Sequence, residues 1–248
     1  MIYPDSDDWV DKDAYRACMN RMEKDSIDLV VFGSINTVYS ESGEVLQEIN
    51  GKTSDVTLFS QQECRERWID FVNELPMDGP SNKMYKMQII RENGVCFPDI
   101  RRMQDGVFNM RYYNHIKSFA AIPAYYYHFT MHSASYQRKK IPASFIECAI
   151  YYHKTAIEML KSWGLCDIDS ERKLGEWFSE TVISAELDFY PQNGKGLTSR
   201  YRHIKKINIH PYVVEFYKRY KVITPLNKRE NAVFHKWNLL LTLYTFLR

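Results

Sequence analysis

Three aspartates, Asp5, Asp7 and Asp8, fall within four residues of one another, directly after the short run Met1-Ile2-Tyr3 and just before Trp9. Carboxylates this close repel one another unless a cation or hydrogen-bond donors neutralise them. Hard cations such as Mg²⁺ and Mn²⁺ take such oxygen ligands, usually one or two protein carboxylates completed by substrate phosphates. The same spacing also suits a solvated acidic turn leading into a helix, where aspartate is favoured by the helix dipole. A further carboxylate, Asp105, stands in Arg101-Arg102-Met103-Gln104-Asp105-Gly106-Val107-Phe108-Asn109, where a helix is expected to begin. It serves there either as an N-cap or in catalysis. Asn82 and Lys83 open Asn82-Lys83-Met84-Tyr85, which otherwise reads as the polar start of a strand. His128 and His132 are four apart, a metal-ligand spacing on a helix, but the adjoining Tyr125-Tyr126-Tyr127 indicates a strand and a packed histidine. The remaining histidines form no ligand spacing.

Hydrophobic patterning supplies the elements that must hold these residues. Tyr15, Cys18, Met19 and Met22 place a helix over 12–24. The β-branched run over 27–39, the turn at Ser42-Gly43 and the run over 44–49 read as a hairpin, and Met1-Ile2-Tyr3 as the end of another strand. Ser60 and Glu63 form a capping box for a helix over 60–75. An extended segment over 83–89, a helix over 108–116 and a strand over 119–129, interrupted at Pro123, follow. Beyond Pro142 the pattern turns helical, over 144–163, 170–189, 211–220 and 229–248, with Phe145, Tyr151 and Tyr152 expected in the core. The expected organisation is therefore an α/β part over 1–140 and a helical part over 141–248.

The segments around the aspartates come in an order that resembles glycosyltransferase family 2 proteins of the GT-A fold, of the bacterial capsule or lipopolysaccharide type. The resemblance rests on Tyr3-Pro4-Asp5-Ser6-Asp7-Asp8-Trp9-Val10, Asn82-Lys83-Met84-Tyr85 and Glu92-Asn93-Gly94-Val95-Cys96-Phe97-Pro98. It continues through Gln104-Asp105-Gly106-Val107-Phe108-Asn109 and Ala124-Tyr125-Tyr126-Tyr127-His128, with Ser133 and Ser135 following, and so covers roughly residues 1 to 136. It implies a partial GT-A-like mixed sheet with flanking helices. It also implies transfer of a sugar from a nucleotide-sugar donor to a glycan or lipid-linked acceptor, with inversion at the anomeric carbon. By the same resemblance Asp7 is the direct ligand of Mn²⁺ or Mg²⁺ on the donor diphosphate, supported by Asp5, and Asp105 is the catalytic base. Asn82 and Lys83 match positions near the donor and acceptor groove. Two departures stand out. Gln104 occupies the place of the family's usual glutamate, and the family's N-terminal nucleotide-binding module has no counterpart ahead of Met1. The second departure makes a non-catalytic binding or membrane-associated remnant the alternative expectation. A haloacid-dehalogenase-type phosphatase also carries Asp-x-Asp after a strand, but Val10 stands one place too late for it and Asp105-Gly106 has the reversed order.

Composition narrows the remaining classes. Of 248 residues, 18 are Tyr, 13 Phe and 5 Trp, too many to remain dispersed in water as a disordered chain. Five widely spaced cysteines without Cys-x-x-Cys suggest a reduced, cytoplasmic setting. Asp5, Asp7 and Asp8 make the N-terminus unlike a signal peptide, and no apolar run approaches a membrane span. The net charge of +2 conceals an asymmetry, since residues 195–248 carry +10 and the preceding ones −8. Phe234, Trp237, Leu241 and Tyr244 would share one face of the last helix. A basic, aromatic tail of this kind suits peripheral docking on an anionic membrane, here the inner face of the cell membrane. Tyr201-Arg202-His203-Ile204-Lys205-Lys206 has residue types used on nucleic acids, yet no nucleic-acid-binding motif accompanies it, and nucleic acid is not an expected partner.

Overall fold

The computed structural model describes residues 1–132, 144–187 and 196–246, which fall into two compact units, Met1–Gln137 and Arg138–Arg248. Among the residues quoted from the sequence, Ser133, Ser135 and Pro142 lie outside the described residues, as do the end of the helix expected over 170–189 and the last two positions of that expected over 229–248.

The first unit is built on a mixed sheet. Its main path runs β1 (Trp9–Val10), β6 (Phe119–His132), β2 (Leu29–Tyr39) and β3 (Val45–Asn50), with β4 (Val56–Leu58) on β6 and β5 (Lys83–Tyr85) on β2. The β2–β6 pairing is parallel and the others are antiparallel. Helices α1 (Ala14–Lys24), α2 (Gln61–Glu74), α3 (Met87–Glu92) and α4 (Gln104–Tyr113) accompany it. Leu29-Val30-Val31-Phe32 is apolar on both faces, as a central strand must be. Val30 and Phe32 join Cys18 of α1 and Tyr127 of β6 in one cluster. On the opposite face Phe119, level with Leu29, stacks on Phe71 of α2 at 4.8 Å. The β2–β3 hairpin and the α2 capping box form as the sequence indicates, with the Glu63 N–H donating to Ser60 Oγ at 3.2 Å and the Ser60 N–H to Glu63 Oε2 at 3.1 Å.

Several expectations change. Met1-Ile2-Tyr3 is not a strand, although Met1 exchanges two hydrogen bonds with Tyr85, of 2.6 and 2.8 Å. Extended structure over 83–89 ends at Tyr85, and Met87–Glu92 forms a helix. That helix is closed by Gly94 at φ +60°, with the Val95 N–H reaching back to Ile90 O at 3.0 Å. Helix α4 begins at Gln104, which puts Asp105 inside its first turn rather than at the cap. Strand β6 continues through Pro123 because the register slips there. Phe32, Gly33 and Ser34 face Ile122, Tyr125 and Tyr127 in turn, so the proline's missing donor falls in a bulge. The short strands β1 and β4 have too few residues to show a pattern.

The second unit contains α5 (Phe145–Trp163), α6 (Ile168–Leu187), α7 (Leu197–Asn208), α8 (Pro211–Ile223), α9 (Lys228–Phe234) and α10 (Asn238–Phe246). Helix α7 is absent from the sequence reading, where its basic residues masked the apolar spacing of Tyr201, Ile204 and Ile207. The single last helix expected over 229–248 is broken. Lys236 adopts φ +57°, the Trp237 N–H donates to Ala232 O at 2.9 Å and the Lys236 N–H to Val233 O at 3.0 Å, a Schellman turn. Phe234 and Leu241 therefore sit on different helices, and Leu241 is buried while Trp237, Leu239, Leu240 and Leu243 are exposed. Tyr152 enters the core as expected, but Tyr151 is exposed.

Gly33 is required by the close approach in the bulge, since a Cβ there would lie 2.7 Å from the Tyr125 ring and 3.1 Å from Ala124 O. Gly33→Ala should destabilise the first unit by about 1–3 kcal/mol, read as a lower urea midpoint at unchanged slope. An unchanged midpoint would show that the bulge yields freely.

Candidate active site

The acidic segment after Tyr3 is tied down by Asp8, the one of the three aspartates to which the resemblance assigns no role. Asp8 accepts from the Tyr127 hydroxyl at 2.7 Å and from the Thr130 N–H at 2.8 Å, both on β6. The Asp5 N–H donates to the same Tyr127 oxygen at 3.1 Å, and the Asp11 N–H to Tyr126 O at 2.9 Å. With Asp8 consumed in this way, Asp5 and Asp7 remain exposed on the outer side of the segment. Nothing in the residue types separates Asp8 from Asp7; only its register on β6 does.

His128 lies in the same strand and stacks on Trp9, with ring centroids 3.4 Å apart and planes 5° from parallel. Its Nε2 is 3.6 Å from Asp11 Oδ2. A packed histidine is what the structure contains there.

Below the segment, Tyr3 packs edge-on against Tyr85, Phe97 and Phe108 at 5.6–5.7 Å. Phe108 belongs to α4, so this aromatic cluster draws the start of α4 toward the aspartates. Met103, the residue before α4, adopts φ +61°, a left-handed conformation unusual for a side chain of this size. The Gln104 side-chain oxygen is buried without a hydrogen-bond donor.

Asn82 and Lys83 lie beneath this surface. Lys83 is fully buried, and its ammonium donates to Pro76 O at 2.5 Å, Gly79 O at 2.5 Å and Asn82 Oδ1 at 2.8 Å. Three acceptors meet three N–H donors, a geometry that suits the charged form. Burial pulls its pKa down to about 7, while the charges of Asp78 and Asp105 act in the opposite direction. Asn82 Nδ2 donates to Phe32 O at 2.8 Å, fastening the segment to β2. Asn109 of α4 holds the same loop, donating to Met77 O at 2.9 Å and Asp78 O at 2.7 Å while accepting from the Tyr85 hydroxyl at 2.5 Å. Asp78 and Asn109 escaped the sequence reading. The turn-rich Pro76-Met77-Asp78-Gly79-Pro80 was the available signal for the first, and the spacing of Asn109 four residues after Asp105 for the second.

The structure thus brings Asp5, Asp78, Asp105 and Lys83 within electrostatic reach of one another. Burial raises the Asp105 pKa above the usual aspartate value, the charges of Asp5 and Asp78 raise it further, and Lys83 opposes them. The Asp5 carboxyl is raised too, by partial burial and then by its neighbours Asp8 and Asp7. A carboxylate with a raised pKa is a stronger base than a free one, provided it reaches its proton donor.

No protein-family model and no curated protein matches the chain. Solved structures do. S. aureus TarS 1-349 in complex with UDP superposes with a TM-score of 0.54 at 15% identity, covering 99% of this chain and 62% of that one. TarS 1-349 alone gives 0.52 at 14% identity, and its UDP-GlcNAc complex 0.51 at 14%, each covering 95% of this chain. The chain has a glycosyltransferase fold. At such identities the likeness is one of fold, and the chain spans 62–66% of the length of those TarS chains. The mixed sheet followed by helices is the GT-A-like arrangement expected from the sequence.

The coupling of Asp5 to Asp105 has a measurable consequence. The Asp105 carboxyl should titrate above the ordinary aspartate value of about 3.9 in a ¹³C-carboxyl NMR titration, and Asp5→Asn should lower it by removing a negative neighbour. A raised pKa means that this group favours the fold below the ordinary aspartate range, an advantage lost as pH rises through the folded-state value. No change on Asp5→Asn would show that the two carboxyls do not sense each other.

Proposed function

We propose that the chain acts as an inverting glycosyltransferase. In this reading it moves a sugar from a nucleoside-diphosphate donor to a glycan or lipid-linked acceptor of bacterial surface polysaccharide synthesis, of the capsular or lipopolysaccharide kind. The observation that carries the reading is the fold, similar to that of TarS at a TM-score of 0.54, in which Asp5, Asp78 and Lys83 lie within electrostatic reach of Asp105. TarS, whose fold is similar, has been solved with UDP and with UDP-GlcNAc.

Asp105 is the base in this reading. It takes the proton from the acceptor hydroxyl as that oxygen attacks the anomeric carbon from the face opposite the diphosphate, which inverts the configuration. Lys83 and Asn82 act from beneath, by fixing the loop that carries Asp78.

Asp7 and Asp5 are the residues that would hold Mn²⁺ or Mg²⁺. Among the described residues no three His, Cys, Asp or Glu side chains are grouped to hold a metal unaided. A cation here would accordingly need diphosphate oxygens beside the two carboxylates, the mode Mg²⁺ commonly uses. The donor set fits, because Asp5 carries like-charge repulsion from Asp7 and Asp8 that a cation relieves. Bound there, the metal offsets charge developing on the leaving diphosphate.

Two variants test this assignment together. Asp105→Asn should lower turnover of the nucleotide-sugar donor by roughly 10²–10⁴-fold while donor binding survives. Asp7→Ala should weaken Mn²⁺ binding in the presence of nucleoside diphosphate, followed by loss of the free-Mn²⁺ electron paramagnetic resonance signal. Near-normal turnover in the first variant would place the base elsewhere, and equal Mn²⁺ affinity in the second would remove Asp7 from the metal site.

Peripheral association with an anionic membrane is part of the same reading. It is supported by the +10 charge of residues 195–248 and by the exposure of Trp237, Leu239, Leu240 and Leu243 around α10. No helix among the described residues is long and apolar enough to cross a membrane. The chain should co-sediment with anionic liposomes at low salt and be released by high salt, and equal binding to neutral liposomes would count against the idea.

A further inference from the structure

The helical unit contains a cleft of about 460 Å³ lined by α8, α9 and the last residue of α7. Val214, Tyr217, Lys218 and Lys221 recur along its lining at spacings of three and four, so one face of α8 forms a wall. Val233 and Phe234 of α9 add apolar surface, and Lys236 joins them from the left-handed turn that follows. Tyr217 and Val233 are buried while the lysines are exposed, which gives the cleft an apolar depth and a basic rim. Among the described residues that line it, three are lysines and none is a carboxylate.

The rim lysines are weakly engaged by the protein itself. Lys218 Nζ is 3.4 Å from Glu215 Oε2, an exposed pair of the kind that contributes little. Lys221 Nζ lies 4.3 Å from the centroid of the Phe234 ring, which holds the ammonium over the cleft's own apolar wall. Among the described residues neither Lys221 nor Lys236 has a carboxylate partner. Each of these two cations is followed in the chain by a large exposed apolar residue, Val222 at 81% and Trp237 at 51% exposure. Leu239 and Leu240 carry the exposed apolar run into α10. Cations set beside exposed apolar groups are the composition of a surface that meets a lipid interface.

We propose that this cleft binds a lipid phosphate monoester, its phosphate on Lys221 and Lys236 and the first carbons of its chain on Val214, Val233 and Phe234. Each part of the ligand answers a feature of the lining. A phosphate monoester carries a charge of about −1.5 to −2 at pH 7 and three strong acceptor oxygens, which two unpaired ammonium groups match. A carboxylate brings a single negative charge and leaves one of the two cations unmatched. The apolar depth calls for a chain, because a free phosphate would leave that surface against water. The volume is about three times the ~150 Å³ that holds a benzene ring, so a head and the start of a chain fit together. The membrane association proposed above enters only as the source of the lipid. The cleft itself lies wholly in the helical unit and does not depend on the transferase reading.

The test titrates octyl phosphate, octanoate and inorganic phosphate into the 248-residue chain by calorimetry, below the micelle concentration of each amphiphile. Octyl phosphate should bind saturably and about tenfold more tightly than either of the others. Lys221→Gln and Lys236→Asn should each weaken it about tenfold, asparagine being tolerated in the left-handed turn. Lys228→Gln removes the same charge from α9 away from the cleft and should leave the affinity within about twofold. Val214→Trp, which fills the cleft, should abolish binding; if it does not fold, the lysine variants decide the matter. No saturable binding of octyl phosphate would overturn the proposal, as would equal affinity for inorganic phosphate or octanoate, or an equal loss in Lys228→Gln. Vesicles then separate this site from membrane association in general. Phosphatidylcholine vesicles holding phosphatidic acid should retain the chain better than vesicles of equal surface charge holding phosphatidylglycerol, and Lys221→Gln should erase the difference. Equal retention by the two would overturn the assignment to a monoester lipid. Octyl phosphate binding without retention by either vesicle would remove the membrane reading and leave the cleft as a site for a lipid phosphate presented singly.

Discussion

Parallel pairing of β2 with β6, from Leu29 opposite Phe119 to Tyr39 opposite His132, is the interaction on which the candidate site rests. Every site element hangs from one of these two strands. Strand β5, with Lys83, pairs with β2, and the segment holding the aspartates is bonded to Tyr127 and Thr130 of β6. Asp28, at the foot of β2, accepts from Lys86 Nζ at 3.0 Å and from the Lys117 N–H at 2.8 Å, which ties the ends of β5 and β6 to the same point. The Tyr112 hydroxyl of α4 donates to Asp28 O at 2.7 Å. Shifting the pairing by one residue would turn Tyr127 away from Asp8. The bulge at Gly33 and Tyr125 is where this register is set, and it lies just before Tyr127 in the strand.

Buried charge then shapes the chemistry. Placing the Lys83 ammonium out of water is costly, and the cost is offset only because two loop carbonyls and Asn82 take all of its donors. The loop thereby gains a rigid geometry that its turn-forming residues alone would not provide. The same positive charge acts on Asp105 against the combined effect of burial, Asp5 and Asp78. In the proposed reading, in which Asp105 is the base, a carboxylate that accepts a proton benefits from that balance. Burial and negative neighbours strengthen it as a base, and the lysine keeps it from being protonated too readily.

How much of this could be read from the residues follows from how local each feature is. The α2 capping box and the β2–β3 hairpin depend on neighbours a few positions apart, and both were legible. The clustering of Asp5 with Asp105 was legible only through a family resemblance, because no local pattern joins residues that far apart. The roles of Asp8, Asn109 and Asp78 were missed for the same reason, since they come from tertiary partners on β6, β5 and the loop after α2. Helix α7 was hidden by composition, its basic residues drawing attention from the apolar spacing beneath. The break between α9 and α10 was hidden because Lys236 carries the left-handed turn that glycine or asparagine would normally announce.

The three clustered aspartates show how a fold can give like residues different work. In water they would be nearly equivalent, and their mutual repulsion would favour spreading the segment apart. Strand β6 presents the Tyr127 hydroxyl and the Thr130 N–H to the segment, and Asp8 accepts from both. Satisfying that one carboxylate holds the segment closed against the repulsion and leaves the other two on its outer side. Asp5 then feels its neighbours' charges at a fixed distance instead of relaxing away from them, which adds to the effect of partial burial in raising its pKa. Structural neutralisation of one member therefore keeps the remaining pair in the unfavourable proximity that a cation would relieve.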